Sequence, residues 1–394
     1  MPLEVDFFSP DFQADPFPHY ARMREAGLSR IAPMGFYALS RHADVRQALR
    51  NSEQFSSAGF VEAFEPPWVG YNPAAHTMLS MDPPEHTHAR ALVNRAFAGP
   101  ALARVEPILR TLVGALVDAL AERGEADIVE SFALPLTGGM LGHFLDLDPA
   151  LHARFKHWSD CIVGITPTPR DEAHVAEVAA AIADLQLTLG ALLDQRRLQL
   201  GDDLTSALLR AEVEGHGLDQ RELICFLLML IVAGLENTTN LITKATLHLA
   251  AQPELHGRLR AEPGLIPRFI EEMLRWDPPA HTLFRVTRSD VEIAGGTIPA
   301  GSFVMLMLAA ANRDAAVFPD PDRFVLERET SGHVAFGHGP HLCIGLALAR
   351  LETRLAFEAL TQRFQRIEAT DAVGPWLHTM TVRGPARAVV RLIT

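Results

Sequence analysis

The run Phe336, Gly337, His338, Gly339, Pro340, His341, Leu342, Cys343, Ile344, Gly345 sets one cysteine among three glycines, the residue set in this chain best suited to metal chemistry. Glycine reaches positive φ and lets the main chain approach a flat ligand closely. A metal-binding thiolate must stay deprotonated and dry. Phe336, Leu342 and Ile344 supply an apolar wall, and loop amides near the sulfur can donate hydrogen bonds to it. From Gly345 to Phe357 apolar residues recur at helical spacing, so the positive end of a helix would face the sulfur. The pattern reads as a haem pocket with Cys343 as the iron's axial ligand, an arrangement that pushes electron density toward O–O cleavage. A competing reading takes His333, His338, His341 and Cys343 as zinc ligands, because imidazole and thiolate suit zinc, although their spacing matches no standard finger.

A second constellation lies upstream. Leu223 to Leu235 is apolar throughout, and Glu236, Asn237, Thr238, Thr239 and Asn240 follow at once before apolar residues resume at Leu241. Five polar side chains inside a buried helix need a reason. Side chains of this kind bond to nearby carbonyls and bend helices, and Gly234 weakens this one, so a local opening is expected here. Beside a haem such an opening would form an oxygen cleft. Glu272 and Arg275 lie three apart and can pair on one helix face, and His86 and Arg90 lie four apart on another.

These segments carry a family likeness. The decapeptide resembles the haem-binding signature FGxGxHxCxG of the cytochrome P-450 superfamily at every specified position. Ala233, Gly234, Leu235 and Glu236 look like its distal-helix motif, Ala/Gly-Gly-x-Asp/Glu-Thr, and Glu272 to Arg275 match its Glu-x-x-Arg element. His86 and Arg90 look like its His-x-x-x-Arg element. The resemblance implies haem b held by Cys343 and contacted by Phe336, Gly337, Gly345, Ala233 and Gly234, with His86, Arg90, Arg285 and His341 on the propionates. It implies that Arg275 bonds the segment Pro319 to Phe324, which contains Arg323. Glu236, Asn237 and Thr238 are then the candidates for proton delivery to dioxygen.

One position departs from the family. Asn237 occupies the usual threonine site, and Thr238 follows about 100° round the helix. An amide orients water but supplies no hydroxyl proton, so oxygen activation would depend on an ordered water, on the substrate, or on a shifted register that brings Thr238 inward. By position in the family, substrate walls come from Phe60, Phe64, Trp68, Val69, Tyr71, Val232, Ala233, Thr282, Leu283, Trp376, Leu377 and Met380.

The resemblance implies a haem-thiolate monooxygenase of the soluble bacterial type, hydroxylating or epoxidising a small lipophilic or aromatic substrate, free or carrier-bound, in natural-product tailoring. No flavin or nicotinamide fingerprint is present, so a ferredoxin and its reductase are the expected electron donors, docking at Arg95, Arg350 and Arg354. A peroxide-driven or non-redox haem enzyme is the alternative that Asn237 raises. A haem-based sensor would leave Glu236 without a task.

The rest of the chain must position these groups. Its 394 residues, 48% hydrophobic and 21% charged, can bury a large core. A net charge of −13 without a basic run speaks against nucleic acid, and three cysteines form no disulfide framework. Cys161 and Cys225 read as small buried apolar residues. With no signal-peptide pattern at the amino terminus, and the 13-residue apolar run too short to span a membrane, a cytoplasmic protein is expected. Strands are predicted near Gly35 to Leu39, Val291 to Ile293 and Phe303 to Leu308, and an irregular loop over Phe60 to Pro73. Asp82 should cap a helix opened by Pro83, Pro84 and Glu85, and helices should dominate from Ala101 to Ala251. The expected fold is mainly α with small β-sheets (α+β), a single P-450 domain over residues 1–394.

Overall fold

The computed structural model describes residues 2–61, 65–96, 100–147, 151–165, 168–211 and 217–394. Phe64 and the side chains of Phe60, Arg95 and Leu377 lie outside the described residues. The architecture is mainly α with small sheets. Two units divide the chain, one of residues 1–56, 113–133 and 237–394, the other of residues 57–112 and 134–236. Helices that bear or support candidate residues are α1 (His42–Arg50), α2 (Glu85–Ala96), α3 (Leu134–Leu145), α4 (His152–Val163), α5 (Glu172–Leu198), α6 (Gln220–Ala251), α7 (Ile266–Trp276) and α8 (Leu346–Arg363).

Every strand pairing among the described residues falls in the first unit. Strands β1 (Leu3–Asp6), β2 (Leu28–Ala32), β3 (Phe36–Leu39), β4 (Phe55–Ser56), β5 (Thr282–Thr287) and β6 (Phe303–Met307) form one mixed sheet in the order β1-β2-β3-β6-β5-β4. The pairings β1 with β2 and β3 with β6 are parallel, the others antiparallel. The β5–β6 register sets Thr282 opposite Met307, Leu283 opposite Leu306 and Arg285 opposite Val304. Leu39, Val45, Leu49, Phe55, Ile298, Val304 and Leu306 share one apolar core, which fixes this sheet against α1. Smaller sheets pair Arg366–Val373 and Glu125–Asp127 with Ala388–Ile393, Trp376–His378 with Arg383–Pro385, and Val291–Ile293 with Gly296–Ile298.

The second unit is built from helices. On α5 the buried positions Val178, Ala181, Ile182, Leu185, Leu189, Leu192 and Leu193 recur every three or four residues, the stripe that a helix turns toward its core. Trp158 of α4 is fully buried and donates its indole N–H to Asp184 of α5 at 3.0 Å. The Asp82 carboxylate accepts the amides of Ser57 at 2.9 Å and Ala58 at 3.3 Å, tying the loop after residue 56 to the start of α2.

Helix α6 contributes residues to both units and runs unbroken from Gln220 to Ala251. The local opening expected at Glu236 to Asn240 is absent from its backbone. Two of these polar groups, Glu236 and Thr238, find partners on other elements, described below, and further along the Thr243 and Thr246 hydroxyls bond back to the carbonyls of Thr239 and Ile242 at 2.8 Å without breaking the ladder. Both α5 and α6 are long and apolar enough to cross a membrane by length and composition; 61% of the most apolar stretch of α6 and 33% of that of α5 is buried within the protein.

Candidate active site around Cys343

The Cys343 loop is closed by its own main chain. Gly337 donates to Val334 O at 2.9 Å, Leu342 to Gly339 O at 3.0 Å and Cys343 to Phe336 O at 2.9 Å, and α8 begins three residues after the cysteine. The three glycines do different work. Gly339 has φ +76°, and a Cβ there would lie 2.7 Å from Leu49 O, so this glycine makes room for the end of α1 and not for a ligand. A Cβ on Gly345 would meet nothing within 4 Å, and one on Gly337 would make only ordinary contacts with Leu283 and His341. The bare surface is therefore at Gly337 and Gly345, on either side of a half-buried Cys343.

Beneath the loop sits a saturated ionic network. Glu272 and Arg275 on α7, both fully buried, form a bidentate pair at 2.7 and 2.8 Å. Arg275 also donates to the carbonyls of Asn312, Pro321 and Arg323 at 3.0, 2.8 and 3.1 Å. Arg323 thus takes part through its main chain. The third side chain is Arg328, whose Nε reaches Glu272 Oε1 at 3.1 Å and whose other nitrogens donate to carbonyls of residues 319, 320 and 323. Asn312 carries the order upward, accepting the Val334 amide at 2.7 Å.

A second pair flanks the cysteine. Arg350 of α8 is bidentate on Glu271 at 2.6 and 2.8 Å, and its guanidinium lies 4.6 Å from the centroid of Phe336. His333 accepts the Ala335 amide at Nδ1, so its Nε2 is the donor to Glu271 at 3.1 Å. Burial pushes the Glu271 carboxyl up, but the bonds from Arg350 and His333 outweigh it and hold the pKa at about 2. Arg354 pairs with Glu358 at 2.8 Å, so the two described members of the expected docking patch are each matched by a carboxylate. His338 faces Arg46 of α1 at 3.2 Å. With His333 on Glu271 and His338 on Arg46, no three-ligand metal cluster forms at this loop among the described residues.

Donors for a dianionic ligand are also present in this unit. Arg285 of β5 is buried, at 6% exposure, with Nη1 on the Phe284 carbonyl at 2.6 Å. His341, half-buried, stands two residues before the cysteine. Leu283 touches the Gly337 position. Thr282 spends its hydroxyl on Met380 O and so presents only its methyl group. Trp376 is covered by Arg383 at 4.0 Å from the ring centroid. A cysteine sulfur, two bare glycine faces, a buried guanidinium and an imidazole together fit an iron macrocycle that carries carboxylates.

On α6, Ala233 is exposed and Asn237 half-buried, one turn apart and therefore on one face. Thr238 is buried at 5% exposure and turned to another face, where it bonds the carboxyl of Glu352 on α8. The inward rotation of Thr238 is thus not the arrangement adopted. Burial pushes the Glu352 carboxyl up to about 8, against the Thr238 bond. Glu236 turns to a third side, where Ser159 of α4 donates to Oε1 at 3.3 Å. Burial raises its pKa, with Lys156 pulling down and Asp160 pushing up. Gly234 serves packing: a Cβ there would lie 3.0 Å from Leu141 of α3.

The remaining candidates belong to the second unit. His86 is buried on α2, and Arg90, one turn on, donates to Asn94 at 3.2 Å. Trp68 packs on His174 at 5.3 Å between centroids, and Val69 and Val232 are half-buried. Tyr71 stacks on His76, accepts from Arg221 Nε at 2.9 Å and lies 3.3 Å from Cys225 Sγ. Burial and the Cys225 contact push its hydroxyl up to about 12. A cavity of about 380 Å³ opens beside Tyr71, Gln186, Gln220, Arg221 and Ile224.

Known proteins share this design. The Cytochrome P450 family profile matches residues 174–387. The cytochrome P450 monooxygenase PikC of Streptomyces venezuelae is 36% identical, over 97% of this chain and 92% of its own length. Cytochrome P450 CYP109Q5 from Chondromyces apiculatus superposes with a TM-score of 0.92 at 34% identity, covering 100% of this chain and 99% of that one. CYP109E1 from Bacillus megaterium, solved in complex with testosterone, gives a TM-score of 0.86 at 30% identity, covering 96% of this chain and 100% of that one.

Proposed function

This chain belongs to the cytochrome P450 family and is a monooxygenase; from that premise we propose that it holds haem b through Cys343 and inserts one atom of O2 into a small lipophilic or aromatic substrate. When bound, the haem iron supplies dioxygen binding and reductive O–O cleavage. The observation that carries the reading is the self-closed Cys343 loop with bare glycine faces on both sides of the sulfur.

Each residue then has a task at a stated atom. Cys343 offers its sulfur from a loop whose backbone the Glu272, Arg275 and Asn312 network holds still. Arg285 and His341 hold carboxylates by charge-assisted hydrogen bonds, the task that the family motif also gives to His86 and Arg90. Glu236, raised by burial, keeps a proton to higher pH than an ordinary glutamate and receives the Ser159 hydroxyl. Asn237 presents its amide on the face shared with Ala233, where it orients water.

The walls favour an apolar substrate. Leu283, Met380, Trp376 and the Thr282 methyl offer no spare hydroxyl, and the testosterone complex of the Bacillus megaterium neighbour supports a lipophilic occupant. Natural-product tailoring, a carrier-bound substrate and a cytoplasmic location are consistent with this reading. Electrons come from a ferredoxin, and with Arg350 and Arg354 paired to carboxylates, the docking charges we favour are Arg46 and Arg50 of α1, the helix seated on Gly339. Because the Thr238 hydroxyl is spent on Glu352, a peroxide-driven reaction is the second reading.

Turnover of a lipophilic library under ¹⁸O2, with ferredoxin and reductase or with peroxide alone, tests the proposal. One labelled oxygen in product with ferredoxin supports it, and product formed only with peroxide selects the second reading. No product under either condition from haem-loaded enzyme that shifts its spectrum on binding substrate would overturn both.

A further inference from the structure

Helices α4 and α5 bring together a ligand set that the reaction above does not use. His157 and Cys161 lie four apart on one face of α4, and Glu177 faces them from α5, with one ligand atom from each all within 4.8 Å of one another. Cys161 Sγ is 3.8 and 3.9 Å from the two imidazole nitrogens of His157. We propose that His157, Cys161 and Glu177 bind a zinc-type divalent cation that clamps α4 to α5, with water in the fourth position.

The chemistry of the donors selects the metal. One thiolate sulfur, one imidazole nitrogen and one carboxylate oxygen suit zinc, with bonds of about 2.3, 2.0–2.1 and 2.0–2.2 Å, and a tetrahedron of those bonds has a sulfur-to-nitrogen edge of about 3.6 Å. The sulfur is nearly equidistant from the two ring nitrogens, so the exposed His157 ring must turn to aim one lone pair at the metal. Cys161 itself is buried at 7% exposure, whereas His157 and Glu177 are exposed.

Two neighbours shape the site further. Burial, with Glu177 and Asp160, pushes the Cys161 thiol up, while Arg170 opposes them. Zinc takes a cysteine as its thiolate, so metal entry releases the sulfur's proton. The consequence reaches the candidate active site through α4, which also carries Ser159, the donor to Glu236. A bound cation would fix the helix that presents this hydroxyl.

The test is a Zn²⁺ titration of chelator-treated holoenzyme by calorimetry in two buffers of different ionisation enthalpy, with zinc-edge X-ray absorption on the loaded protein. One site that releases a proton, shows a Zn–S shell near about 2.3 Å, and weakens at least tenfold in both Cys161→Ala and His157→Ala supports the clamp. His157 is exposed, so its variant reports on binding and not on folding. No site in the wild type, a sulfur-free zinc shell, or affinity unchanged in either variant would overturn it.

Discussion

Glu272 and Glu352 are both hidden from water in the same unit, yet their surroundings make them opposites. Glu272 has two arginines and the Val325 amide on its two oxygens, whereas the Glu352 carboxyl, among the described residues, is met by the Thr238 hydroxyl and by no charged partner. A buried carboxylate matched by charge is scaffold. One with little but a hydroxyl keeps its proton into the neutral range, here to about 8, and stores it against α6. The number and charge of partners, not depth of burial, separates the residue that holds the thiolate loop from the one that titrates behind Asn237.

The largest effect is expected where the matched network is broken. Arg275→Ala leaves Glu272 with Arg328 and the Val325 amide and strips the Asn312 and Pro321 carbonyls of this donor, and breaking a buried ion pair in this way costs about 3–5 kcal/mol. Denaturant unfolding and haem content together check this, and a variant of wild-type stability would break the comparison at its scaffold end.

The titrating end gives a pH signature. The folded pKa of Glu352, about 8, lies above its ordinary value near 4.5, so the folded state binds the proton more tightly than the unfolded chain. Its contribution to stability is present in full below about 4.5 and is lost as pH rises through about 8. Glu352→Gln should remove that decline, so that melting temperatures of variant and wild type diverge from pH 6 to pH 9 in favour of the variant. Parallel curves over that range would place the proton elsewhere.

A smaller effect should follow from Thr238→Val, which removes the bond to Glu352 at a cost of about 1 kcal/mol and raises the carboxyl further. The midpoint of the pH-dependent stability loss would move upward. An unmoved midpoint would mean that the hydroxyl bonds elsewhere.

Much of this was legible in the residues. The Cys343 decapeptide and the Glu272, Arg275 spacing announce themselves because each lies within a few residues along the chain. Arg328 does not, since only the fold returns it to Glu272 from 56 positions away. Glu352 left a signal that was readable, a lone acid beside Leu351 and Leu355 on the buried face of α8, but its partner Thr238 is a long-range contact. The Asn237 and Thr238 ambiguity was a question of facing, decided by what packs against α6. At Gly339 and Gly234 only the fold says that an added Cβ would meet Leu49 and Leu141, because a missing Cβ does not say which neighbour takes the space.

The central claim, thiolate ligation by Cys343, is tested most directly by the carbon monoxide difference spectrum of the dithionite-reduced, haem-loaded protein beside its Cys343→Ser variant. A strongly red-shifted Soret band present in the wild type and lost in the variant is the expected result. The same band persisting in Cys343→Ser, or missing from folded, haem-loaded wild type, would contradict it.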